Sequence, residues 1–248
     1  MATCLYRRGV LAFGRSHRGR LRLIRHYVPF GLASLAFTAA LAAWVDSPVL
    51  FYRLSLATAF TGLILFGLSL AIGPFGLLTT GRLLPVSSDL RRDVGILAAF
   101  FSVAHVAFGL FVYTDIRLYF LYPVSEWPRT DFPLRLDDLG TANWTGLAAT
   151  ILIVVLLATS GDWALRRYGA RRWKGLQQLT YWAFALVFVH GQLYQRMEPR
   201  DEHSLVLIFG LVVGSVLFVQ LAGALKVSQI VERRRSLDRR TDRSLDLH

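Results

Sequence analysis

The sequence predicts an all-α membrane protein, a polytopic helix bundle of about six transmembrane helices with its N and C termini on the cytoplasmic side. Three observations lead there. Hydrophobic residues make up 54% of the chain and charged residues only 18%, with a mean hydropathy of +0.45, whereas a soluble domain of this length needs more polar surface. The apolar residues fall into runs near the roughly 20 residues that cross a hydrocarbon core about 30 Å thick. The net charge of +12 is confined to the segments between those runs. A nucleic-acid binder can be as basic, but not as apolar. The single cysteine, Cys4, excludes an intramolecular disulfide and any Cys-based cluster or zinc site.

In chain order, residues 1–27 form a basic N-terminal segment with seven arginines and no small-residue cleavage site, which predicts a cytoplasmic anchor rather than a removed signal peptide. The first span is expected over Val28–Val45, closed by a turn at Asp46-Ser47-Pro48. The second runs over Val49–Ile72 and is expected to end at Gly73-Pro74, because proline cannot continue the hydrogen-bond ladder. The third covers Val94–Thr114, the fourth Trp144–Ser160, the fifth Leu176–Gln195 and the sixth Ser204–Leu225. Residues 28–225 thus make one six-helix domain, and 226–248 a charged cytoplasmic tail.

Orientation follows from the connecting segments. Arg82, Arg91 and Arg92 lie between the second and third spans, and Arg166, Arg167, Arg171, Arg172 and Lys174 between the fourth and fifth. The N-terminal segment and the tail are also basic. The alternate connections, Asp115–Asn143 and Arg196–His203, are richer in acids than in arginine. The loop 115–143 is the longest, with Pro123, Trp127, Pro128, Asp131, Phe132, Pro133, Asp137 and Asp138. Long ordered loops are often functional, so it is a candidate docking surface for a periplasmic partner, with a lid over helix ends as the plain alternative. The tail is too short for a flavin or nicotinamide domain, so a reductant comes from elsewhere.

The informative residues are those that hydrocarbon disfavours. His105 lies midway along the third span and His190 in the outer half of the fifth. An ionisable residue within a span is costly and points to function. Neutral imidazole is a good axial ligand for haem iron, and two helices offering one histidine each can sandwich a porphyrin. Gly191 and Gly109 lack side chains that would crowd a macrocycle. The plain alternative is that each histidine simply hydrogen-bonds a neighbouring helix. Both spans run outward, and the depths of the two histidines differ by only about 4–5 Å. Arg91 precedes His105 by close to four turns, placing both near one helix face about 21 Å apart, and Gln177 precedes His190 by about 20 Å. The outer pair therefore has an inner echo that lacks a histidine.

Three stretches resemble the ferric-reductase-like transmembrane domain: Thr61-Gly62 with Leu70-Ala-Ile-Gly-Pro74, Arg91-Arg92-Asp-Val-Gly95 leading to His105, and Trp173-Lys-Gly-Leu-Gln-Gln-Leu-Thr-Tyr181 leading to His190. Within that superfamily the chain is similar to the haem-binding membrane subunit of the periplasmic methionine sulfoxide reductase system, from about Leu21 to Tyr194. The resemblance implies a b-type haem conduit in a bacterial inner membrane. Such a conduit takes electrons from quinol or a cytoplasmic flavin reductase and passes them to a periplasmic molybdopterin enzyme. It implies His105 and His190 as ligands of the outer haem and Arg91 as the arginine of the inner site. Arg92, Arg172 and Trp173 become candidates to hold propionates or a quinone headgroup, and Arg117 and Arg196 to hold outer-haem propionates.

One position departs from that pattern. The family has histidine where this chain has Gln177, and a glutamine amide is a poor haem ligand. One haem b is expected, a second is put in doubt, and quinone or FMN are further candidate cofactors. His26 is the other histidine at a depth where it could substitute, an interfacial histidine being its plain reading. Two other readings stand beside the electron-transfer subunit. A haem-free membrane scaffold would keep the fold and lose the redox chain. A transporter finds little support, since no internal repeat or paired intramembrane carboxylates are evident.

Overall fold

The computed structural model describes residues 23–81, 88–112, 115–123, 133–197 and 203–245. The N-terminal arginines before residue 23, Arg82, and Trp127, Pro128, Asp131 and Phe132 of the long loop lie outside the described residues. Among those described, a π-helical turn (Leu23–Tyr27) leads into seven α-helices: α1 (Val28–Trp44), α2 (Leu50–Thr80), α3 (Ser88–Gly109), α4 (Asp138–Ala158), α5 (Asp162–Gln177), α6 (Leu179–Met197) and α7 (His203–Leu245). A 3-10 turn, Ile116–Tyr119, and one antiparallel bridge between Leu121 and Leu134 complete the regular structure described. Five helical stretches are long and apolar enough to cross a membrane: Ile24–Trp44, Leu50–Thr80, Asp89–Gly109, Asp138–Ala158 and Ser204–Arg233. The chain is an all-α, multi-pass membrane protein. The remaining expected span, α6, is a 19-residue helix made less apolar by His190, Gln192, Gln195 and Arg196.

The chain divides into two compact units. One holds α1, α2 as far as Phe66, α3 from Arg92, and α4 to α6. Here large apolar side chains face outward, with Leu32 63%, Phe100 62% and Trp182 69% exposed, while small or polar residues such as Ala57, Thr61, Ala98 and Ala183 are buried. That inversion is how helices associate in lipid, where close backbone approach and interhelical hydrogen bonds replace the hydrophobic effect. The Thr38 and Thr61 hydroxyls meet at 2.7 Å between α1 and α2. Gly62 lets α2 approach α3, since a Cβ there would lie 3.1 Å from Ser102 Oγ. Contacts between successive spans run in opposite directions: Thr38 with Thr61 and Arg53 with the Ala42 carbonyl, then Ser55 with His105 and Gly62 with Ser102. These first three helices therefore alternate in direction.

The second unit holds α2 from Gly67, α3 as far as Arg91, and α7. It contains the clearest departure from expectation, because α2 does not stop at Gly73-Pro74 but runs through Pro74 to Thr80. Proline has no N–H, so the carbonyl four residues earlier, that of Leu70, loses its helical donor. The Gln220 side-chain amide of α7 donates to that carbonyl at 2.8 Å. Gly223 provides room for the ring, since a Cβ there would lie 2.7 Å from Pro74 Cβ. The helix tolerates its proline because a neighbouring side chain replaces the missing donor. It ends instead at Gly81, whose φ of 64° suits a left-handed cap and whose N–H reaches the Leu77 carbonyl at 2.9 Å.

Other boundaries move for local reasons. The third helix begins at Ser88 rather than Val94 and ends at Gly109, followed by turns rather than helix at Leu110–Val112. The fourth starts at Asp138, six residues early, because the Asp137 side chain caps it by accepting from the Gly140 N–H at 2.8 Å. Gly140 is obligatory there, since a Cβ would lie 2.0 Å from the Arg135 carbonyl oxygen. The basic connection between the fourth and fifth spans is not a loop but helix α5, kinked at Gly169 (φ 74°, ψ 158°). Its arginines and Lys174 are exposed beside exposed Trp163, Leu165 and Tyr168, the composition of a helix lying in a membrane interface. The expected tail continues α7 as helix to Leu245.

Candidate functional site

The third and fifth expected spans, α3 and α6, run in the same direction and bring His105 and His190 together. Their ring centroids are 6.0 Å apart, with the planes inclined at 69°. Each ring is anchored through one nitrogen to a backbone carbonyl of another helix. His105 Nδ1 lies 2.9 Å from the Ser55 carbonyl oxygen of α2, with Ser55 Oγ at 3.0 Å. His190 Nδ1 lies 2.8 Å from the Ala142 carbonyl oxygen of α4. A carbonyl only accepts, so both rings carry their proton on Nδ1, and Nε2 keeps its lone pair.

Glycine makes the second anchor possible. A Cβ on Gly146 would lie 2.6 Å from His190 Nδ1 and 2.8 Å from its Cε1, so any side chain there would push the imidazole from its carbonyl. Tyr194, one turn beyond, packs its ring 5.0 Å from that of His190 and donates its hydroxyl to Asn143 Oδ1 at 2.8 Å. The Asn143 amide donates in turn to the Tyr119 carbonyl at 3.1 Å, and the Tyr119 hydroxyl to the Gly109 carbonyl. One chain of hydrogen bonds thus joins α6, α4, the 3-10 turn and the end of α3 beside the histidines.

Two imidazoles that bind one metal from opposite sides, each at about 2 Å, hold their ring centres roughly 6 Å apart. The observed pair fits that geometry. Histidine ligands also characteristically donate their other ring N–H to a carbonyl or carboxylate, which sets ring orientation and basicity. The donor set is two neutral nitrogens from helices at membrane depth. These residues fit a haem iron held by two axial histidines.

The other predicted residues fall elsewhere. Arg91 is half-buried in the first turns of α3, with Nη1 3.9 Å from where a Cβ on Gly73 would sit. Gln177 is the last residue of α5 rather than part of α6. Gln178 keeps a nearly helical backbone (φ −68°, ψ −19°) between the two, so the expected fifth span is two helices meeting at a bend. Gln177 Nε2 and Arg92 Nε are buried and have no hydrogen-bond partner. Arg92 Nη1 pairs with Asp162 at 2.7 Å, and Trp173 Nε1 donates to the Thr159 carbonyl at 2.9 Å. Arg172 is exposed on α5. Arg117, 70% exposed, is gripped by Asp115 at 2.9 Å, and that guanidinium holds the Asp115 carboxyl below the usual carboxylate range.

Sequence reasoning missed Ser55, Ala142 and Gly146 because two of them act through carbonyls and one through lacking a side chain. Asn143 had a visible signal, a polar amide at the start of an apolar run. Asp93 also went unassigned, a carboxylate among arginines that is fully buried in the fold.

Comparison with known proteins decides the family. A model of the ferric reductase like transmembrane component matches residues 55–188, more than half of the chain. The chain belongs to that family. The matched segment contains Ser55 and His105, and stops two residues before His190. Among curated proteins, the chain is 32% identical over 132 residues to the protein-methionine-sulfoxide reductase heme-binding subunit of Deinococcus radiodurans, covering 52% of this chain and 56% of that one. It is 31% identical over 151 residues to the subunit of the same name from Bordetella pertussis, covering 60% and 64%. It is also 31% identical over 119 residues to the magnetosome protein MamZ of Magnetospirillum gryphiswaldense, covering 46% of this chain and 16% of that one. The chain thus spans less than two thirds of the length of each of these relatives.

Proposed function

We propose that this family member is a haem b-binding electron-transfer subunit of a bacterial inner membrane, with one haem held between His105 and His190. The observation that carries this is the paired imidazoles, 6.0 Å apart at their centroids, each tied by Nδ1 to a carbonyl of another helix. The names of two relatives, which describe heme-binding subunits, support it. When bound, haem supplies a one-electron centre that cycles between ferric and ferrous iron. The chain's own residues fix that centre. Ser55 and Ala142 orient the rings, Gly146 gives His190 its room, and the Tyr194–Asn143–Tyr119 chain holds the adjoining helix ends together.

The donor in this reading is quinol or a cytoplasmic flavin reductase, and the acceptor a periplasmic oxidoreductase, a molybdopterin enzyme by family resemblance, docking near residues 115–143. In this reading both termini lie on the cytoplasmic side, which the basic connections support. Arg91 and Arg172 are proposed to bind the charged groups of cofactors, while Arg117, gripped by Asp115, is read as an ordinary loop charge. A second reading, a haem-poor scaffold within a larger complex, draws on Gln177, whose buried amide stands where the family has histidine. Absorbance and magnetic spectra of the purified protein separate the two. The electron-transfer reading expects a six-coordinate low-spin haem that is lost in the His105→Ala, His190→Ala double variant. Unchanged haem bands in that variant would refute it.

A further inference from the structure

A second histidine site lies in the same unit and has no part in holding the metal. Asp93 of α3 is fully buried. Its Oδ2 lies 2.7 Å from His26 Nδ1, and its Oδ1 accepts from the Tyr27 hydroxyl at 2.9 Å. A sequestered carboxylate costs several kcal/mol unless it is paired and hydrogen-bonded, and an apolar contact would join the helices as well or better. Joining α1 to α3 therefore does not account for its being acidic. The His26 side chain is 23% exposed, so an imidazole backed by a buried carboxylate reaches the surface. With Nδ1–H committed to Asp93, Nε2 carries the free lone pair. Buried acid, oriented imidazole and accessible nitrogen together make a general base.

The surroundings identify the acid it serves. His26 sits in the π-helical turn Leu23–Tyr27 at the head of the first span, and single π-turns within helices are frequent at functional sites. Ile24 and Val28, on the same turn, are 64% and 46% exposed, and the apolar stretch long enough to cross a membrane begins at Ile24, so the partly exposed ring lies at the end of a span. Among the described residues, Asp93 meets the ring across the interface, Arg25 lies on the same turn, and Arg92 is engaged by Asp162. A molecule reaching Nε2 from lipid and offering an O–H proton is a membrane-dissolved hydroquinone. A flavin protein docking from water would deliver electrons without needing a base at this place.

We propose that His26, positioned by Asp93, is the proton acceptor for hydroquinone oxidation; this rests on the electron-transfer reading above and selects between its two donors. One O–H bond of the hydroquinone would break, its proton passing to His26 Nε2, and the electron would go to the haem that His105 and His190 would hold. His26 would then release the proton to water. Once the acceptor had taken that electron, the second proton and electron would follow, leaving quinone. The dyad lies twelve residues, about 18 Å of helix axis, from His105 on α3, so proton acceptance and the metal occupy opposite ends of one helix.

The test uses the haem-loaded full chain in lipid nanodiscs with menadiol as probe, following ferrous haem absorbance. His26→Gln is expected to slow reduction about a hundredfold. Asp93→Asn is expected to slow it at least about tenfold. Tyr27→Phe removes one bond to Asp93 and spares the base, so it should stay within about twofold of wild type, an effect no larger than one hydrogen bond's lower range. Independently of turnover, menadione added to haem-free protein labelled at histidine Cε1 should shift the His26 resonance. A menadiol rate unchanged in His26→Gln, an equal loss in Tyr27→Phe, or an unmoved resonance would overturn the proposal. Dithionite separates the two readings. Full ferrous bands in every variant keep the electron-transfer reading intact, whereas none in wild type removes that reading itself.

Discussion

The two ends of α3 treat their polar neighbours differently. Around His105 both imidazole Nδ1 atoms meet carbonyls, and Tyr194, Asn143 and Tyr119 bond in sequence, with Trp144 Nε1 beside Asn143 the buried donor left without a partner among the described residues there. Toward the Asp93 end, Gln177 Nε2 and Arg92 Nε are buried without a hydrogen-bond partner, although His26 and Tyr27 satisfy Asp93. Buried donors are rarely left unpaired in native structures. The first arrangement sets two imidazoles side by side, each turned by its carbonyl so that Nδ1 carries the proton. The second supplies cationic and amide donors but no second imidazole. In physical terms, Gln177 offers an amide that donates to or accepts from a polar neighbour, where an imidazole would offer a nitrogen able to bind iron.

The largest expected effect would erase the difference between the ends. Gln177→His should raise haem content from one toward two per chain, read by pyridine haemochrome against protein mass. A ratio unmoved from one would show that the inner end lacks more than a ligand. Next, Gly146→Ala should weaken haem retention about 10–100-fold, since its methyl displaces His190 from the Ala142 carbonyl and disturbing such an outer partner carries that cost. Haem dissociation into apomyoglobin measures it, and wild-type retention would mean the anchor is dispensable.

A smaller effect concerns stability alone. Gln220→Leu should cost about 1–3 kcal/mol by leaving the Leu70 carbonyl without a donor. The cost should shrink in a Pro74→Ala background, where residue 74 regains its own N–H. Thermal unfolding in detergent of the four combinations gives the coupling, and strict additivity would contradict the account of the proline. The smallest effect is expected at Arg117. Being exposed and held by Asp115, its change to Gln should leave haem content unchanged; a marked loss would instead assign it to a propionate.

Much of this was legible in the sequence. The apolar runs located the spans, and equal depth on helices of the same direction paired His105 with His190 before any coordinates. The plain alternative for each histidine, a hydrogen bond to a neighbouring helix, also describes the fold. The two readings coexist because an imidazole has two nitrogens, one for the carbonyl and one for a metal. What could not be read depended on partners distant in sequence. Nothing around Pro74 indicates that Gln220 will serve the Leu70 carbonyl, so a stop was the natural expectation. The basic run 161–175 reads as loop until its aromatic residues are seen beside the arginines along α5. His26 and Asp93 lie 67 residues apart, and neither signals the other.

His105 and His190 are proposed to hold a single iron together. The haem-to-chain ratio of the purified protein, taken with low-temperature electron paramagnetic resonance of the ferric form, tests this. One low-spin haem with two nitrogen ligands is expected. A haem-free chain, or a high-spin iron with one histidine bound, would refute it.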